Sequence, residues 1–149
     1  MNISHLLITN GAGCLDLNLI ERYFPKGYPI CVIDNFSSAK REVVPIKPDL
    51  MLMDGFFADA DLVNKPFVDF QPTLMVHSAA AYKDLLDWAE DTVTNVLGTI
   101  HVANAVTAHK AVGFYQLSNH LVLRAPQCSA HRGGSSDCTV TNYGISKQP

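Results

Sequence analysis

Tyr143 and Lys147 stand four apart in the segment "TNYGISKQP", a spacing that sets a phenol and an ammonium on one face of a helix. A phenol titrates near about 10, so a positive neighbour must pull it toward neutrality before it can move protons at pH 7. A second group of residues lies near the other end, where "NGAGCLDLNLI" follows the short apolar run "HLLIT". A glycine turn there, at Gly11 and Gly13, lets backbone approach a phosphate whose charge is favoured at the next helix's N-terminus. Asp34 follows Gly13 by 21 residues, at the end of "CVIDNF". That distance and location suit a carboxylate accepting hydrogen bonds from adenosine ribose hydroxyls.

These groups need a scaffold, and the hydrophobic pattern supplies one. Strands are expected at His5–Thr9, Pro29–Ile33, Leu50–Met53, Thr73–Val76 and Gly113–Leu117, mostly as continuous apolar runs, the mark of a parallel sheet covered on both faces. Between them helices are expected at Cys14–Phe24, as a short turn or helix near Asp59–Asn64, and from about Asp84 to His109. The alternation reads as a Rossmann-like, doubly wound α/β sheet of about five strands forming one domain over residues 1–149. From Arg124 the pattern dissolves into the loop "APQCSAHRGGSSDCTV".

Composition narrows the partners. A 48% hydrophobic and 17% charged chain of net charge −3 suits a globular domain. It contains no basic run, so neither nucleic acid nor an anionic membrane is expected as partner. No apolar stretch has the length of a membrane span, and Leu6-Leu7-Ile8 is too short for a signal peptide. The four cysteines form no Cys-x-x-Cys pair, which makes a reducing cytoplasm the expected setting. The six histidines have no ligand spacing and no metal site is expected.

The segments "ITNGAGCLDLNLI", "VIDNFSSAKRE", "VHSAAAYKD", "NVLGTI" and "YGISK" fall in the order and spacing of the extended short-chain dehydrogenases/reductases. Among these the chain resembles the nucleotide-sugar epimerases and dehydratases, over nearly its whole length but only over their cofactor-binding portion. The resemblance implies NAD bound by Asn10, Gly11, Gly13, Cys14, Leu15, Asp34, Asn35, Ser38, Ser78, Ala79, Ala80, Asn95 and Lys147. It implies further that Tyr143 is the acid/base removing a sugar hydroxyl proton as hydride passes to the nicotinamide, with Lys147 lowering its pKa. Asp34 implies NAD in preference to NADP, because a 2′-phosphate would meet a carboxylate.

Three positions depart from the pattern. The loop Thr-Gly-x-x-Gly-x-x-Gly becomes Thr9-Asn10-Gly11-Ala12-Gly13-Cys14-Leu15-Asp16, so one of its three glycines survives. Asn10 is the milder change, since Asn tolerates a left-handed backbone. Asp16 sets a carboxylate beside the pyrophosphate site, at a cost on the order of 3 kcal/mol for charges ~5 Å apart at an effective dielectric near 20. Cys14 reads as a small apolar filler at the helix start. The Ser or Thr that completes the acid/base set falls on Asn119, which hydrogen-bonds but does not relay a proton as a hydroxyl does. Ser118 precedes it, and a strand register reaching Ser118 turns the side chain to the opposite face.

Two readings follow. One is the NAD-binding half of a nucleotide-sugar epimerase or dehydratase, taking a sugar nucleotide only when a substrate domain is supplied. The other is a degenerate or truncated relative that binds dinucleotide weakly or not at all and catalyses nothing. The helix expected to carry Tyr143 and Lys147 has about five residues before Pro149, short of what persists unaided. Chemistry in this chain alone is therefore expected to fail. Apolar residues on more than one face of the 84–109 helix point to possible self-association.

Overall fold

The computed structural model describes residues 5–81, 87–110 and 113–117. Five strands, β1 (Leu6–Thr9), β2 (Ile30–Asp34), β3 (Leu50–Asp54), β4 (Leu74–His77) and β5 (Gly113–Gln116), form one sheet in the order β3-β2-β1-β4-β5. Every neighbouring pair is parallel, with Leu6 opposite both Ile30 and Leu74 in the centre. Each expected strand is present, its ends shifted by no more than one residue.

The continuous apolar runs have the reason anticipated for them. Every residue of β1 and β2 is buried, because both faces of the sheet are covered. On one face Leu7, Cys31, Ile33 and Met75 pack with Val63 and Phe67 of α2 (Ala60–Asp69) and with Val102 and Ala105 further along the chain. On the other, Leu6, Ile8, Ile30, Val32 and Leu74 meet Ile20 of α1 (Cys14–Tyr23).

Two helices differ from expectation. α2 runs ten residues rather than ending near Asn64, even though Pro66 lies inside it. Proline removes one backbone donor, but Asp59 caps the start by accepting from the N–H groups of Asp61 and Leu62, and Val63, Pro66 and Phe67 bury together. The long 84–109 helix is described from α3 (Trp88–Asp91) through a π-helical stretch, Thr92–Gly98, into α4 (Thr99–Ala108). Among the described residues no helix is long and apolar enough to cross a membrane.

Candidate functional site

Sequence neighbours β1 and β2 lie side by side, but on β1's other flank sits β4, so the winding direction reverses between β1 and β4. Ligands of open α/β sheets occupy the crevice beyond the carboxyl ends of the strands at such a reversal. Here the strands end at Thr9, Asp34 and His77, and a cleft opens beside them. Its lining includes Asn10, Asp34, Asn35, Ser38, Ala79 and Ala80, all singled out from sequence, together with Ser37, Phe56, Phe57, Ala81, Glu90, Val93 and Thr94.

The turn from β1 into α1 depends on close backbone approach. A Cβ on Gly11 would stand 2.3 Å from a Val32 methyl carbon, so only glycine lets the loop lie on β2. A Cβ on Gly13 would meet the Asn10 amide at 2.5 Å. Asn10 itself adopts φ 63, the left-handed backbone that made it the milder replacement for glycine. Gly13 begins α1 with no side-chain cap, and Leu15 stays exposed in the first turn. Cys14 is also exposed rather than packed as a filler: it falls on the side of α1 opposite Asp16 and Ile20, whose four-residue spacing makes the buried face.

Asp34 is buried and fixed by backbone. One carboxylate oxygen accepts the Ala12 N–H at 2.9 Å and the other the Phe36 N–H at 2.7 Å. Phe36 is held at φ 53, an uncommon conformation for a bulky residue that this bond helps to secure. A carboxylate has about four acceptor positions, so Asp34 retains capacity toward the cleft after binding two amides.

Asp16 does not project as a free charge into the loop. It is 1% exposed, and Ser78 Oγ lies 2.6 Å from its Oδ1 while the Asn10 amide donates to Oδ2 at 3.4 Å. Burial pushes its pKa up to about 6, opposed by the hydrogen bonds of Ser78 and Asn10 and aided by the Asp34 charge. The cost expected of a full negative charge therefore falls on a group that is partly neutral near pH 6.

Behind the cleft, Asn95 clamps the chain that leaves β4: its amide accepts the Ala81 N–H at 2.9 Å and donates to the Ala81 carbonyl at 3.0 Å. Asn95 sits in the π-helical stretch, a deviation often found at functional sites. His77 bridges Thr9 and Thr99 through its two ring nitrogens, at 2.8 and 2.9 Å, and Phe57 packs edge-on against it. The aromatic pair Phe56–Phe57 escaped sequence reading; its one signal was an adjacent pair of rings just after β3 in "DGFF". Ser118, Asn119, Tyr143 and Lys147 lie outside the described residues.

Residues 6–148 match the model of the NAD dependent epimerase/dehydratase family. The Bordetella bronchiseptica enzyme WbmG, solved in complex with NAD and UDP, is 44% identical with a TM-score of 0.91, over 99% of this chain and 47% of that one. The enzyme WbmH of the same organism, solved with NAD+, is 31% identical with a TM-score of 0.88, over 98% of this chain and 50% of that one. A UDP-glucose 4-epimerase of Azospirillum brasilense is 24% identical over 95% of this chain and 41% of its own length. The chain thus spans about half the length of the proteins it is similar to.

Proposed function

The chain belongs to the NAD dependent epimerase/dehydratase family, and on that premise we propose that it is an NAD-binding half of a nucleotide-sugar epimerase or dehydratase. The observation that carries this reading is the placement of Asp34, buried at the cleft's edge with both oxygens oriented by backbone amides. In this reading its remaining lone pairs take the adenosine ribose hydroxyls. The pyrophosphate lies over Asn10–Leu15, where the tight glycine turn meets the N-terminus of α1. Phe56 offers aromatic surface near a purine, with the buried Phe57 packed behind it, and Ala79 and Ala80 keep the chain low enough for the cofactor to pass. The WbmG and WbmH complexes with NAD support this assignment.

Bound there, NAD would supply the hydride acceptor and donor for a sugar carbon. The residues assigned to the proton are Tyr143 as acid/base and Lys147 as the positive charge that lowers its pKa and holds the nicotinamide ribose. In the sequence, Asn119 falls where the resemblance expects the hydroxyl residue, next to Ser118. An amide there orients a substrate oxygen but does not relay its proton, and positioning supplies much of an enzyme's rate. We therefore expect NAD binding without turnover from this chain alone, with a sugar nucleotide bound only when a substrate domain is supplied.

Overnight incubation of the purified chain with NAD and UDP- or dTDP-hexoses, followed by chromatography beside an active full-length family member, tests this. No product is expected. A product that disappears in Tyr143→Phe would overturn the loss of turnover while supporting the assigned acid/base.

A further inference from the structure

The Ser78 hydroxyl stands between two oxygens, 2.7 Å from the Thr9 carbonyl and 2.6 Å from Oδ1 of Asp16. A serine hydroxyl has one proton to donate and lone pairs with which to accept. The Thr9 carbonyl can only accept, so the Ser78 proton belongs on that line and the second short contact needs a proton from Asp16. With Asp16 ionised, Ser78 must turn its proton to the carboxylate, leaving two oxygens 2.7 Å apart with nothing between them. With Asp16 protonated, the acid donates to Ser78, accepts from Asn10, and leaves Ser78 to Thr9.

We propose that Asp16 is a carboxylic acid built into the phosphate loop, and that its proton governs whether the loop accepts a dinucleotide diphosphate. The inference rests on the reading of the cleft as a dinucleotide site. Protonated, Asp16 leaves the loop neutral; ionised, it places a negative charge beside a doubly negative group. Binding therefore takes up a proton. The surroundings favour the neutral form: burial raises the pKa, and Asp34, fixed by Ala12 and Phe36 at the end of β2, adds a like charge. From β4, His77 directs its ring nitrogens to Thr9 and Thr99, and Asn10, the neighbour on the loop, is neutral. Asp16 thus stands where the resemblance expects a glycine and makes cofactor affinity sensitive to pH near neutrality.

Two measurements on the whole chain test this: calorimetry of NAD binding from pH 5 to 8 in buffers of different ionisation enthalpy, and infrared difference spectra of the free protein against Asp16→Asn. Asn at this position keeps a donor toward Ser78 and cannot ionise. The expected results are a carboxylic-acid band lost as pH rises through about 6, proton uptake on binding, and affinity that falls up to about tenfold per pH unit above that point. Asp16→Asn should bind with little change across the range. Titration at an ordinary carboxylate pH, or equal NAD affinity at pH 5 and 8, would overturn the proposal while leaving the cofactor reading intact. No NAD binding at any pH in either protein, with the band still titrating near 6, would overturn the cofactor reading and the coupling together. If Asp16→Asn does not fold, the wild-type pH curves alone decide.

Discussion

Polar side chains stand at Asn10 and Asp16, where the family resemblance expects glycine, and each is accommodated differently. Asn10 takes the left-handed backbone itself, a tolerance that belongs to the residue type and was therefore legible in the sequence. The fate of Asp16 was not legible, because it depends on Ser78, 62 positions away, brought near only by the pairing of β1 with β4. Its burial has a consequence for stability. The folded chain holds the proton to about 6, against 3.8 for an ordinary aspartate, so between these values the folded state binds more protons than the unfolded one. Stability is then greatest below pH 3.8 as far as this group is concerned, and falls as pH rises through 6, by about 3 kcal/mol in all. Urea unfolding at pH 5 and pH 8 should show roughly half of that loss in wild type, the part lying above pH 5, and none of it in Asp16→Asn. A wild-type difference no larger than the variant's would mean the buried acid carries no such linkage.

Secondary elements divide into those that local pattern determines and those that packing extends. The five strands were legible because two-sided burial writes itself as unbroken apolar runs. α2 was underestimated because its second half, with Pro66 inside, is held by burial against the sheet rather than by propensity. The π-helical stretch left no mark in the periodicity, since one extra residue per turn is small over seven residues. Along this stretch and α4 the apolar positions divide between the sheet and the surface. Val102 is buried against the sheet, while Val93, Val96, Leu97 and Ile100 are each about 40 to 50% exposed. An apolar stripe of that extent favours association. We expect the chain to self-associate through it at micromolar concentration, by light scattering, and to bind a hydrophobic dye in its native state. Leu97→Glu with Ile100→Glu should reduce both signals. A monodisperse, dye-negative wild type would contradict this use of the helix face.

At the scale of the molecule, the winding reversal between β1 and β4 gathers the ends of three strands into one cleft. Spacing alone singled out Gly11, Gly13 and Asp34, which recur at intervals that a strand, a helix and a second strand must span. Phe56 and Phe57 were unreadable for the opposite reason. They reach the cleft from the loop beyond β3, whose distance along the chain is not fixed by the strand-helix-strand unit. The central claim is that this arrangement holds NAD, with Asp34 on the adenosine ribose, and it implies discrimination at the 2′ position. A 2′-phosphate brought against the Asp34 carboxylate adds charge repulsion to the loss of a hydroxyl donor. The most direct measurement is calorimetry of the whole chain with NAD and with NADP at pH 6 and low salt. The account predicts binding of NAD at least tenfold tighter than NADP, with the difference much reduced in Asp34→Ala. Equal or reversed affinities in the wild type, or no NAD binding at all, would contradict it.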